Sequence, residues 1–554
     1  MNSDTSSQST LEILKFPPEL VALVLSRLPA PDIARFSQTG RLAHEIVSSS
    51  ATLSYLRHLL LYKAVDNPDN RLSHAEKLSL LYKQRHAWLH GIPSFTVTVP
   101  IKFPEASIYD LSSGTYYLGA VDRKKLKYLD LPRTPSDVVQ WKEFKPTGQD
   151  AKIIDFASNR YEHDMICVVT GERLTIGQMF PMVNLKLSIY QFSTGQPHPL
   201  AKQPILNLMG PESDWGTPAV YCEIAGDHIA LVTNFRRGVL APCVNVFHWK
   251  TGRILMRKHG SDTYEGVVFL NENTLLIPQL SDDLLEIWRI PALGEPSPKH
   301  PLCSLHLFLV SPGSAIQYIS CRSDPNPNTP GASLKTNSPF YASADNSVVL
   351  LHVWIRSGML MQDASLVTLV VHRKALAELQ PASRADDGTP IPTPWSEWAP
   401  SIVHCFYGSG SLTSRWITEA CGQRFAMIRR DGPGEEDDDD NSDDGFLRPP
   451  PPVSVVIYDY DPDNIRMVEM EMEKDSEEQR QHRDIYGPIV RRGPHGLPQE
   501  TQGAFSEDIV TNLPFVESRT KEKYDFDSVM LDQERVIGLK ADEDTNSVGI
   551  LYFG

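Results

Sequence analysis

The sequence predicts a two-part chain: a small module of three short helices near the N-terminus, followed by a large all-β body of radially repeated strands. Three observations predict it. Leu20, Val24 and Leu28 recur at a spacing of four behind a Pro17-Pro18 pair. From Phe95 onward the apolar pattern changes to alternation between Gly, Pro, Asn and Asp punctuation. A phrase made of an apolar residue, an aromatic, two more residues and a turn then recurs along the body.

The first helix opens at Phe16-Pro17-Pro18-Glu19-Leu20, where prolines cost nothing because a first turn needs no amide donors, and Glu19 complements the positive helix end. Leu23 lies beside the Leu20, Val24, Leu28 stripe, which stops at Pro29. A second short helix begins at Pro31-Asp32, sets Ile33 and Phe36 three apart and ends near Gly40. The pattern Leu53, Leu56, Leu60 predicts a third between about Ser50 and Lys63. Such short helices bury little area. At roughly 1.5 to 3 kcal/mol per buried core side chain, a module of this size leans on a partner.

These residues resemble the F-box family, whose pattern runs Leu-Pro-x-Glu-Leu, an apolar helix ending in Leu, then Asp-Leu and Arg-Leu-Ser before a basic segment. The equivalents here are Phe16-Pro17-Pro18-Glu19-Leu20, Leu25 and Leu28, Asp32-Ile33, Arg35-Phe36-Ser37 and Arg41. Gly40 and Ala43 stand where the family often carries Cys and Trp. The resemblance implies that Phe16, Pro17, Pro18, Glu19, Leu20, Val24, Leu28, Ile33 and Phe36 build the module and its surface for the Skp adaptor. Through that adaptor it implies a cullin and RING ubiquitin ligase. The competing reading is an N-terminal helical hairpin that packs on its own protein.

Domain boundaries follow. Residues 1–10 read as a disordered tail, 11–62 as the F-box-like module, 63–92 as a helical linker and 93–554 as the β body. The linker carries a capping-box pattern, Ser73-x-x-Glu76, continued by Leu78, Leu81, Arg85 and Trp88 until Gly91-Ile92-Pro93. Rigid coupling there would suit a ligase receptor, which must hold its client in a fixed relation to the catalytic arm.

In the body the repeated phrase occurs as Ile108-Tyr109-Asp110-Leu111, Ile189-Tyr190-Gln191-Phe192, Val246-Phe247-His248-Trp249, Ile287-Trp288-Arg289-Ile290 and Ile457-Tyr458-Asp459-Tyr460. Spacings of 81, 57, 41 and 170 approximate multiples of a forty-residue unit with insertions. Strand pairs precede several copies, such as Tyr221 to Ile224 with His228 to Val232. Three or four strands per unit, repeated radially, predict a degenerate WD-repeat-like β-propeller of six or seven blades, in which the strand Ser547 to Phe553 closes the ring on N-terminal residues. A pair of packed sandwiches is the alternative.

Composition narrows the function. A formal charge of −16 argues against nucleic acid or an anionic membrane as the main partner. Residues 431 to 444 carry nine acids and no base, and with Pro449 to Pro452 they form an insertion, 431–452, expected to be disordered. Ser442 and Pro451 rule out a calcium loop there. Seven cysteines, none closer than sixteen residues to the next, exclude CxxC metal and redox motifs and suit buried thiols in a reducing compartment, cytoplasmic or nuclear. No phosphate loop, nucleophile elbow or zinc helix occurs, and His404-Cys405 on one strand point to opposite faces. The expectation is a non-catalytic receptor subunit without cofactor or metal, holding a client protein whose identity the sequence does not reveal; a non-ligase interaction scaffold is the alternative.

Overall fold

The computed structural model describes residues 12–112, 114–148, 151–174, 182–211, 218–234, 242–260, 266–357, 363–381, 383–409, 418–430, 451–497, 504–541 and 546–554. The expected tail at 1–10 and most of the acidic insertion, 431–450, lie outside them. Two compact units emerge, Met1–His86 with Thr336–Ser343, and Ala87–Lys335 with Ala344–Gly554.

The first unit is helical. It contains α1 (Pro18–Leu25), α2 (Ala30–Ser37), α3 (Arg41–Ser49), α4 (Ala51–Leu61) and most of α5 (His74–His90). Prolines open α1 and α2, as the sequence requires. Ser50 caps α4 by accepting from the Leu53 N–H, and α5 has the predicted box, Glu76 accepting from the Ser73 N–H. The three helices expected between residues 11 and 62 become four. The one not anticipated, α3, has only Ala43, Ile46 and Val47 as its buried face, too short a pattern to stand out among polar neighbours. Val21 and Leu25 of α1, Ile33 of α2, Ile46 and Val47 of α3 and Leu53 of α4 make one small core.

The helical unit also takes a strand from far along the chain. Ala64–Asp66 pairs antiparallel with Phe340–Ala342. The sequence reads residues 63–92 as a helical linker and 93–554 as the β body. Neither assignment foresaw this pair, because two three-residue strands carry no periodicity.

The second unit is mostly β. Seven antiparallel sheets of four or five strands follow one another among the described residues, with a two-stranded pairing of His495–Gly496 and Val510–Thr511 besides. Sheet 1 holds Glu105–Ser112, Thr115–Ala120, Leu126–Asp130 and Trp141–Phe144. Sheet 2 holds Ile153–Asn159, Met165–Leu174, Met182–Gln191 and Ile205–Pro211. Sheet 3 holds Ala219–Ala225, His228–Asn234, Cys243–His248 and Arg253–His259. Sheet 4 runs from Val268–Asn271 to Cys303–His306, and sheet 5 from Ala315–Arg322 to Val403–Ser409. Sheet 6 starts at Ala420–Cys421 and gains a fifth strand, Ile489–Arg491. Sheet 7 combines Ser528–Leu531, Arg535–Lys540 and Asn546–Tyr552 with Phe95–Ile101 from the beginning of the unit.

That last pairing, Phe95↔Tyr552 through Ile101↔Asn546, joins the C-terminal strand to the first strand of the unit. Within sheet 7, Gly538 and Gly549 face each other across the strands, and a Cβ on either would strike the Phe526 ring at 2.3 or 2.5 Å. The missing side chains make room for an aromatic lid.

Neighbouring sheets share their cores. One cluster joins Val548 and Ile550 of sheet 7 to Leu118 and Leu129 of sheet 1. Others join Tyr117 of sheet 1 to Val168 of sheet 2, Leu187 of sheet 2 to Leu231 of sheet 3, and Val246 of sheet 3 to Leu275 of sheet 4. The series continues with Leu276 and Val353, Leu350 and Val456, and Val455 and Val536. Each sheet thus buries both faces, which is why its strands read as nearly continuous apolar runs.

Four of the five repeat phrases fall on the third strand of a sheet: Ile189, Val246, Ile287 and Ile457 head them in sheets 2, 3, 4 and 6. The fifth, Ile108-Tyr109-Asp110-Leu111, is out of phase and lies on the first strand of sheet 1, whose third strand is Leu126–Asp130. All seven cysteines are free and buried. Among the described residues no helix is long and apolar enough to cross a membrane.

Ile550 is fully buried between sheets 7 and 1. Ile550→Ala is expected to cost about 2 to 4 kcal/mol in urea unfolding, whereas Val138→Ala, at an exposed position, should stay within about 0.5 kcal/mol.

Candidate docking site

Helix α1 has two apolar faces. Val21 and Leu25, four apart, turn inward and are 1% and 2% exposed. Leu20 and Val24, also four apart, turn outward with Leu23, and are 50%, 52% and 57% exposed. Phe16 before the helix and Leu28 in the turn after it extend the ridge at 60% and 41%. An eight-residue helix cannot bury both stripes against a core only three short helices wide, so sequence demand for a core explains Val21 and Leu25 but not the ridge.

The other positions named by the sequence pattern divide. Pro17, Pro18 and Glu19 are exposed beside the ridge. Ile33 is fully buried and belongs to the module's own core, with Phe36 packed against that core from its edge. Arg35 and Asp32 form an exposed ion pair at 2.6 Å. Leu23 is the ridge residue that the nine-residue set did not include, although it stands beside Val24 in the stripe.

A second cluster of chemically able side chains lies in the β unit. Asp110, Asp155, Glu223 and Arg322 sit on the first strands of sheets 1, 2, 3 and 5, and Asp324 lies two residues after Arg322. The Arg322 guanidinium binds Asp110 at 2.6 Å, Asp324 at 2.7 Å and Glu223 at 3.5 Å. Asn326 donates to Glu223 at 2.7 Å, and the Cys222 N–H donates to Asp155 at 2.9 Å. Burial pushes Glu223 up to about 7 against the pull of Arg322. Burial also pushes Asp155 up to about 8, opposed by the Phe156 and Cys222 amides and reinforced by Glu223 and Asp110.

The segment after Arg322 spans this cluster. The Thr329 N–H donates to Glu162 at 2.8 Å, the Lys335 N–H donates to the Tyr161 carbonyl at 2.8 Å, and the Gly422 N–H donates to the Asp324 carbonyl at 2.8 Å. One guanidinium binds three carboxyl groups while burial favours the neutral form of Glu223 and Asp110, which is the arrangement of a tie between sheets. A charged residue inside an otherwise apolar strand, as in Ala219–Ala225 with Glu223, is the sequence signal for it.

His404 and Cys405 are buried in sheet 5. His404 shares a hydrogen bond of 2.8 Å with the Tyr460 hydroxyl, and burial lowers its imidazole to about 3. Burial raises the Cys405 thiol. Neutral imidazole and neutral thiol on opposite sides of a strand do not make a nucleophile pair. Among the described residues no group of His, Cys, Asp and Glu could hold a metal ion.

No protein-family model matches this sequence, and no curated protein matches it. Among solved structures, the chain is similar to one in the crystal structure of the mitotic checkpoint complex, at 10% identity and TM-score 0.25, over 50% of this chain and 77% of that one. It is similar to BamB from Moraxella catarrhalis at 10% identity and TM-score 0.26, over 50% and 74%. It is also similar to a chain in the complex of KlAtg21 with the coiled-coil of AgAtg16, at 9% identity and TM-score 0.26, over 55% and 84%. Similarity this low says nothing of what the present chain binds, and the description of the fold rests on its own sheets.

An acid with a higher pKa in the folded than in the unfolded state takes up a proton on folding, so its contribution to stability falls as pH rises between the two values. For Asp155 that window runs from the ordinary 3.8 to about 8. Asp155→Asn keeps an acceptor for the Cys222 amide and removes the ionisation. It is expected to unfold at higher urea than the parent at pH 8, by a margin that narrows as the pH falls and vanishes near pH 4.

Proposed function

We propose that this chain is a substrate-recognition subunit of a Skp–cullin–F-box ubiquitin ligase. The helical unit docks the Skp adaptor, and the β unit holds a client protein. No residue of the chain carries out the transfer chemistry; the chain shortens the distance between client and catalytic arm. The observation that carries this reading is the outward ridge of Phe16, Leu20, Leu23, Val24 and Leu28, beside the exposed Pro17-Pro18-Glu19 segment that resembles the F-box opening. A hairpin serving only its own protein has no use for five large apolar side chains in water, whereas helix-in-groove recognition uses such a row.

The seven sheets are read as the blades of one closed propeller. Seven shared cores for seven sheets, the last joining sheet 7 to sheet 1, support a ring, as does the pairing of Phe95–Ile101 with Asn546–Tyr552. Arg535 adds a polar seam at the same place, donating to the Pro132 carbonyl at 2.9 Å while bound to Asp532 and Glu534 of its own turn. Long connections between strands, such as 373–402 and 460–488, give surfaces on which client specificity would be built. The compartment this implies is intracellular, where the ligase core resides.

The competing reading is a protein-interaction scaffold outside the ubiquitin pathway, and the ridge distinguishes the two. Leu20→Glu with Val24→Glu alters exposed side chains only, so the variant should keep the parent's circular dichroism and unfolding midpoint. Its capture of purified Skp-type adaptor is expected to fall at least 30-fold, equivalent to about 2 kcal/mol at an interface centre. Adaptor binding at parental affinity, or none by the parent itself, would falsify the ligase assignment.

A further inference from the structure

Residues 336–343 belong to the helical unit although sheet 5 flanks them on both sides in sequence. Their attachment is built of buried polar groups. The Asn67 side chain is fully buried and its amide donates to the Thr336 carbonyl at 2.8 Å and to the Ser338 carbonyl at 2.7 Å. The Asn67 N–H donates to the Pro339 carbonyl, and the Ser343 N–H donates to the Lys63 carbonyl. Neighbouring Asp66 accepts from the Tyr55 hydroxyl of α4 at 2.7 Å and from the Lys77 ammonium of α5 at 2.8 Å, while Lys77 also donates to the Asn67 carbonyl at 2.7 Å. Phe340 fills the space between Tyr55 and Leu59 of α4 and Leu81 of α5.

Helix α4 connects this knot to the docking helices. Its Leu53 is in the core formed by α1, α2 and α3, its Tyr55 and Leu59 are in the core formed with Phe340, and Leu56 touches both. The excursion is held firmly where it leaves and rejoins the sheets. Arg373, fully buried, donates to the carbonyls of Ser323 at 2.8 Å, Pro325 at 2.7 Å and Ala344 at 2.9 Å. Without the strand, the Asn67 amide would lose both carbonyl acceptors and Tyr55, Leu59 and Leu81 would lose the cover of Phe340, and both are costly for a unit with so small a core.

From this we infer that the docking module is completed in trans-sequence: residues 336–343 are a strap whose insertion makes the helices competent to bind their partner. The inference rests on the ligase reading for the identity of that partner. Its consequence is a built-in dependence. The helices are synthesised some 250 residues before the strap, which emerges only after the first strand of sheet 5, Ala315–Arg322. A nascent or truncated chain without that part of the client-holding body therefore has an unfinished handle and is not recruited.

The test uses the full chain with residues 336–343 replaced by eight Gly and Ser residues. Amide exchange across Ala51–Asp66 is expected to accelerate at least 100-fold, strands of sheets 2 and 3 should keep parental exchange, and adaptor capture should be lost. Adding a peptide of residues 335–344 should slow exchange again. Phe340→Ala, which leaves the strap backbone in place, should show the same pattern at about 10-fold and exclude a general folding failure. Parental exchange across Ala51–Asp66 overturns the inference, as does faster exchange with undiminished adaptor capture. Faster exchange in a chain whose parent binds no adaptor supports the strap and removes only the ligase reading.

Discussion

The β unit depends on one pairing of distant segments. Phe95–Ile101, the first strand of the unit, is the outer strand of a sheet whose other three members are the last in the chain. Sheets 1 through 5 are meanders, and sheet 6 departs from that order only where Phe515–Arg519 enters between Val453–Asp459 and Ile489–Arg491; none of the six needs a strand from the other end of the unit. Sheet 7 does, and more than 400 residues separate its closing strand from Asn546–Tyr552. Closing so long a loop has an entropic cost that grows only slowly with length, and seven backbone registers with a shared core offset it. The same pairing covers what would otherwise be an exposed edge at the end of the chain, where aggregation is a hazard. The last turn of α5 joins in: Trp88 stacks on Phe553 at 4.2 Å and lies under the Arg424 guanidinium, and the chain then turns at Gly91, whose φ of +61° and close approach to Arg519 leave no room for a side chain.

The helical unit follows a different rule. With five short helices it has too few inward positions to be stable on hydrophobic burial alone. Buried polar groups make up the difference in specificity: Tyr55, Asp66, Lys77 and Asn67 satisfy one another and the strap carbonyls, leaving a single register for Ala64–Asp66 against Phe340–Ala342. The remaining apolar surface is not spread about but concentrated on Phe16, Leu20, Leu23, Val24 and Leu28. A small core and a concentrated ridge are two sides of one choice, since residues facing a partner cannot also face inward.

Electrostatics in the β unit serves cohesion. Arg322 draws carboxylates from sheets 1 and 3 and from its own sheet onto one planar cation, a geometry the five-donor guanidinium suits better than a lysine would. Asp155 is buried close by without an ion pair to Arg322, and burial raises its carboxyl although the Phe156 and Cys222 amides pull the other way.

The sequence by itself determined the local matters: helix starts at Pro17-Pro18 and Pro31-Asp32, the Ser73-Glu76 cap, the strand character of the body and the third-strand phrases headed by Ile189, Val246, Ile287 and Ile457. Each rests on contacts within a few residues, so periodicity and capping chemistry suffice to reveal them. It also marked Leu20, Val24 and Leu28 as a stripe, but α1 carries a second stripe, Val21 and Leu25, and spacing alone does not say which one faces inward. Helix α3, the strap at 336–343, the seven-sheet count and the meeting of Asp110, Asp155, Glu223 and Arg322 were decided only by the tertiary structure. Their partners lie tens to hundreds of residues away, and side chains that meet by long-range packing leave no regular interval in the chain that carries them.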